Sequence, residues 1–155
     1  MSPFEQVYAL IPVKLNPFHA ILSVFVIAFV PHLMKGGLVR KKLAKSGKPY
    51  DLPNSRIQSV LLSDSSPEGL RIALLAGCHT NGLEAFGYFS IAILSCVLMK
   101  VPRATIEGAS SVFVLIRILY TSIYLGPLNG VLRTVAWSLG IAVAVDLMLQ
   151  AASKW

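Results

Sequence analysis

Polar and apolar positions along this chain alternate between four long apolar runs, two short breaks and one long polar connection. The first run, Pro17 to Met34, is long enough to cross a hydrocarbon core as a helix with little slack. A hydrophilic stretch rich in Gly, Pro, Ser and Asp follows from Lys35 to Pro67. Its segment Lys48-Pro49-Tyr50-Asp51-Leu52-Pro53-Asn54-Ser55-Arg56 is too proline-rich for a regular helix. The second run predicts a helix from Glu68 to Met99, with Ser65 or Ser66 near its start. At 1.5 Å per residue it would measure roughly 45 Å and project beyond the bilayer core on the side of the polar connection. After a short turn at Lys100 to Arg103, a third helix runs from about Ala104 to Leu125. Gly126-Pro127-Leu128-Asn129-Gly130 breaks it, and a fourth runs from about Val131 to Ala151. The pattern predicts an all-α membrane protein, a four-transmembrane-helix bundle in one domain spanning residues 1–155.

Composition agrees: 55% of the residues are apolar and 14% charged, where a soluble domain carries about 25% charge. The first run lacks a basic leader and a small-residue cleavage site, so it reads as a span rather than a signal peptide. The net charge of +7 is concentrated, with seven of the fourteen basic residues between Lys35 and Arg56. Clustered Lys and Arg mark a cytosolic loop, which places loop 35–67 in the cytosol and both termini in the lumen or exterior. The same clustering argues against nucleic acid as a partner. Cys78 and Cys96 suit neither a zinc site nor a compact disulfide framework and read as small buried residues.

Ionisable side chains inside a bilayer are costly and are functional candidates for that reason. The second span contains Arg71, His79, Asn81 and Glu84, the third Arg117, Tyr120 and Tyr124, and the fourth opens with Arg133. Because successive helices alternate in direction, these groups share one level, the cytosolic half. Arg117, Tyr120 and Tyr124 follow i, i+3, i+7 and share a helix face, as do Asn81, Glu84 and Tyr88. His79 and Asn81 lie about 200° apart around their helix, so they face different neighbours. A plainer reading makes Glu84 and Arg117 a helix–helix clamp, the tyrosines an interfacial belt and His79 a packing residue. Asp146 has no evident partner, and Arg103 and Glu107 are spaced for an ordinary i, i+4 pair. No metal site is expected, because His19, His32 and His79 fall at unrelated depths. The set of cations, phenols and an amide suits an anionic ligand or a developing negative charge.

The stretches His79-Thr80-Asn81-Gly82-Leu83-Glu84-Ala85-Phe86, Arg117-Ile118-Leu119-Tyr120-Thr121-Ser122-Ile123-Tyr124 and Leu132-Arg133-Thr134-Val135-Ala136-Trp137 resemble the MAPEG family, membrane-associated proteins in eicosanoid and glutathione metabolism. Tyr50-Asp51 through Asn54-Ser55-Arg56 resembles a loop motif of its microbial and fungal branch, the microsomal glutathione S-transferase-like proteins. The likeness runs over about residues 10 to 150. It implies a homotrimer in the endoplasmic reticulum or another internal membrane, binding glutathione between subunits in a cleft open to lipid. By motif matching, Asn81 and Glu84 would hold the peptide's polar groups. Tyr120 and Tyr124 would line the cleft, Arg117 would help hold the ligand, and Arg133 matches the cation that stabilises the thiolate. Gly77 departs from the pattern, since glutathione-using members of the best-known branch carry arginine there. Arg71, six residues earlier and about 9 Å along the axis, is then the candidate cation on that helix. Gly87 stands where proline is common, which predicts a straighter second helix.

The implied activity is a glutathione-dependent transferase or peroxidase acting on a lipophilic electrophile. Two alternatives use the same pocket. One is glutathione-independent isomerisation or cyclisation, with Glu84 or His79 moving protons, and the other is non-catalytic lipid binding.

Overall fold

The computed structural model describes residues 3–45, 47, 64–126 and 130–155, so the loop motif from Tyr50 to Arg56 lies outside the described residues. The described chain is all-α: α1 (Pro3–Leu10), α2 (Pro17–Lys45), α3 (Pro67–Leu98), α4 (Arg103–Leu125) and α5 (Gly130–Ala152). Helices α2 to α5 are each long and apolar enough to cross a membrane. Much of their outer surface is Leu, Val, Ile and Phe, the residues that lipid rather than water solvates.

The bundle centres on the stacked rings of Phe89 and Phe113, 4.0 Å apart and 2° from parallel. Ala20, Val24, Ala85, Ala92, Val143 and Leu147 close around them. Small residues let backbones approach where lipid gives no hydrophobic drive between helices. A Cβ on Gly82 would stand 2.6 Å from the Ala28 methyl, so α2 and α3 touch here through glycine. Both cysteines are buried free thiols, and Cys96 Sγ donates to the Leu147 carbonyl at 3.1 Å.

Helix α2 continues past Met34, where the hydropathy pattern predicts its end. It runs through Pro31 and the Gly36–Gly37 pair to Lys45. The extension has an apolar stripe of its own, with Val39 and Leu43 packed on Ile72 of α3. Lys42 pairs with Asp64 and donates to Ser66 Oγ at 3.4 Å, tying the end of α2 to the start of α3. Ser66 caps α3, its Oγ accepting from the Gly69 amide at 3.1 Å, and Pro67 takes the first helical position. The fold therefore extends both α2 and α3 beyond the apolar core on the side of the basic segment.

Helix α1 is absent from the predicted set because eight residues are too few for a periodic signal. It is held by polar contacts. Tyr8, 1% exposed, donates to Asp146 Oδ2 of α5 at 2.9 Å, and Gln150 Nε2 donates to the same oxygen at 2.7 Å. Lys14 donates to the Tyr8 carbonyl. The Leu15 amide donates to Ser111 Oγ at 2.9 Å, and that hydroxyl reaches the Val13 carbonyl at 2.8 Å. Asp146, without an evident partner in the sequence, is thus the anchor for the N-terminal segment. Arg103 and Glu107 form the predicted i, i+4 pair, Nε to Oε1 2.6 Å.

Burial pushes the Tyr8 phenol up from its ordinary pKa, and the bond to Asp146 pushes it further. A phenol whose pKa is raised on folding contributes fully below the unfolded value of 10.0 and loses that contribution as pH climbs above it. Tyr8→Phe leaves the Asp146 carboxylate one donor short and is expected to cost about 1–3 kcal/mol. Thermal unfolding in detergent measures the loss, and the deficit relative to wild type should shrink above pH 10.

Candidate functional site at the α3–α4–α5 junction

Helices α3 and α4 run antiparallel, and their side chains step together. Asn81 Nδ2 donates to Tyr120 Oη at 2.9 Å. Four residues back along α3 and four forward along α4, Gly77 meets Tyr124, whose Oη would stand 2.5 Å from a Cβ on that glycine. Seven residues the other way, Tyr88 meets Phe113 edge-to-face at 6.0 Å. One register therefore sets the whole contact, as two packed helical faces require.

Tyr120 and Tyr124 lie side by side with ring centroids 5.5 Å apart. The Arg117 guanidinium sits over the Tyr120 ring at 4.2 Å, and the Arg133 guanidinium over the Tyr124 ring at 4.7 Å. Each is a cation on an aromatic face, worth about 0.5–2 kcal/mol according to exposure. The two arginines differ in access. Arg117 is 1% exposed and one of its terminal nitrogens is buried without a hydrogen-bond partner. Arg133 and Tyr124 are half-buried at the surface of the bundle. Among the described residues the Tyr124 hydroxyl makes no hydrogen bond. The result is an open phenol under a reachable guanidinium, with a buried Tyr120–Asn81–Arg117 cluster behind it.

The structure thus gathers Asn81, Tyr120, Tyr124, Arg117 and Arg133 from three helices. It does not bring Arg71 to them: that side chain is exposed, and its Cα is about 15 Å along α3 from that of Asn81. Glu84 stands level with Arg117 in the register, but its side chain is exposed. Among the described residues it forms no ion pair with the guanidinium, so the clamp reading of this pair does not hold. Arg117 turns inward onto Tyr120 instead.

His79 faces the other way, toward α2. Its Nδ1 bonds the Ala28 carbonyl at 2.9 Å, one turn before Pro31, whose missing amide interrupts the helix ladder. His32 lies against it with ring centroids 4.6 Å apart, and Phe29 packs on both rings at 5.4 and 5.6 Å. The expectation that these histidines lie at unrelated depths is therefore corrected. They are neighbours, because α2 runs unbroken through Pro31 and lays His32 against α3 beside His79. The Pro31–His32 step does not mark the contact in the sequence, because the carbonyl that Pro31 leaves without its helix donor is that of Ile27, whereas His79 bonds Ala28. Among the described residues no group of three or more metal-ligating side chains forms.

A model of the MAPEG family matches residues 17–153, nearly the whole chain. The chain belongs to the MAPEG family. With four helices long and apolar enough to span, it is an integral, multi-pass membrane protein. No curated protein and no solved structure matches it.

His79→Ala removes the donor to the Ala28 carbonyl and the ring contacts to Phe29 and His32. It is expected to destabilise by about 1–3 kcal/mol in thermal unfolding while leaving turnover per folded molecule unchanged. Lost turnover at unchanged stability would return His79 to the chemistry.

Proposed function

We propose that this MAPEG protein is a glutathione-dependent transferase or peroxidase of the microbial and fungal type, acting on a lipophilic electrophile. In this reading it works as a homotrimer in an internal membrane such as the endoplasmic reticulum. The basic segment faces the cytosol, and the termini face the lumen. The observation that carries the reading is the Arg133 guanidinium seated 4.7 Å over a ring whose phenol is free. Glutathione, when bound, would supply a nucleophilic thiol, with Asn81, Glu84, Tyr120 and Arg117 to hold it and Arg133 and Tyr124 to favour its thiolate.

The residues fit that role. A guanidinium beside sulfur favours the charged form and lowers the thiol pKa. The Tyr124 hydroxyl has a donor to spare for the same anion. Asn81 and Tyr120 hold each other and keep the wall behind Tyr124 in place. Glu84, exposed one helical turn from Asn81, suits an ammonium or amide of the peptide. The apolar faces of α4 and α5 beside the site give a hydrophobic substrate its route from the bilayer.

Gly77 favours a second reading, glutathione-independent isomerisation or cyclisation. The Tyr124 hydroxyl occupies the space beside Gly77, and position 77 itself presents no cation for a carboxylate. In that case the phenol and Arg133 would stabilise an enolate-like charge.

Glutathione titration of the detergent-purified protein, followed by ultraviolet difference absorbance, separates the two. Saturable binding with a thiolate signal is expected, and Arg133→Ala should remove the signal and lower turnover about tenfold or more. The size-exclusion profile and unfolding midpoint should be unchanged. Full activity in Arg133→Ala would sink the assignment, and turnover without glutathione would establish the second reading.

A further inference from the structure

Gly77 occupies the interior of a continuous helix, where alanine is favoured over glycine and no turn or positive φ calls for the exchange. What the missing side chain leaves is room. The three atoms nearest a Cβ built there all belong to Tyr124: Oη at 2.5 Å, Cζ at 3.5 Å and Cε1 at 3.9 Å. Only the hydroxyl is closer than a methyl tolerates, and the ring carbon behind it is at ordinary contact distance.

We infer that Gly77 is a positioning residue of the site, the notch in α3 that receives the Tyr124 hydroxyl and fixes the ring on which Arg133 stacks. The chain of contacts is short. Gly77 sets the phenol, the phenol's ring carries the Arg133 guanidinium, and the neighbouring Tyr120 is held by Asn81 one turn along the same helix. A residue with a side chain at this position displaces the hydroxyl toward the ligand side and presents its own group on α3. Position 77 therefore sets where the phenol stands relative to a ligand. With glycine the ligand meets a hydrogen-bond donor, which suits a thiolate, a carbonyl oxygen or an enolate-like oxygen. The functional part of this inference rests on the reading of Tyr124 and Arg133 as the activating pair, while the notch itself is tested without it.

The experiment compares wild type, Gly77→Ala, Tyr124→Phe and the double variant, each purified in detergent. The atom in the way is the far end of a half-buried side chain with room to swing outward, so Gly77→Ala is expected to fold. In the Tyr124→Phe background the clash is gone, and alanine should raise the unfolding midpoint through its helix preference. In the wild-type background the same change should fail to raise it. An equal shift in both backgrounds overturns the notch. In activity, Gly77→Ala should lower kcat and the glutathione-thiolate absorbance about tenfold or more with a smaller change in KM, as expected of a misplaced group. That loss should vanish when Tyr124 is already Phe, and a loss that persists there overturns the positioning role. If wild type binds no glutathione at all, the glutathione reading fails while the stability comparison still decides the notch.

Discussion

The antiparallel register between α3 and α4 fixes the position of the site's polar groups on those two helices. Two long helices pressed face to face cannot slide by one residue without moving whole rows of side chains out of their grooves. Here the stacked Phe89 and Phe113 rings set the register at the centre of the core. Asn81 then falls opposite Tyr120, and Gly77 opposite Tyr124. The site's geometry is a consequence of how the core packs, which is why it stands on rigid elements rather than on loops.

The membrane explains why these groups pair as they do. Inside hydrocarbon a polar side chain finds its partners in protein, and each unpaired one is costly. Asn81 satisfies Tyr120, His79 satisfies the Ala28 carbonyl, and Asp146 collects Tyr8 and Gln150. Arg117 is one of four exceptions among the described residues, with His32 Nδ1, Tyr88 Oη and Ser110 Oγ, and it lies buried with one nitrogen unpartnered and its guanidinium on the Tyr120 ring. The phenols whose faces carry the guanidiniums therefore do two jobs: they shield charge from lipid and fill the contact between the helices.

Much of this was legible in the residues. Hydropathy marks four spans, alternating direction puts Asn81, Tyr120, Tyr124 and Arg133 at one level, and i, i+3, i+7 spacing places the α4 residues on one face. What hydropathy cannot supply is lateral position. The meeting of His32 with His79 depends on which side of α3 is covered by α2, and on α2 continuing through a proline. Tyr8 lies 138 residues from Asp146, on a helix too short to announce itself. The end of α2 is invisible for another reason. Its last turns are charged, and their helicity depends on packing Val39 and Leu43 against Ile72 rather than on composition.

Gly77 shows how the same residue changes meaning between sequence and structure. Along the chain it is a deletion, the place where a cation is missing. In space it is occupied, because the absent Cβ admits a hydroxyl from the next helix. In the packing of this chain a side chain at 77 and the Tyr124 hydroxyl need the same volume, so the glycine is what lets the phenol lie against α3. A motif comparison scores only the first half. The α3–α4 packing carries the second half, because a Cβ at 77 requires the Tyr124 hydroxyl to shift from where it now stands.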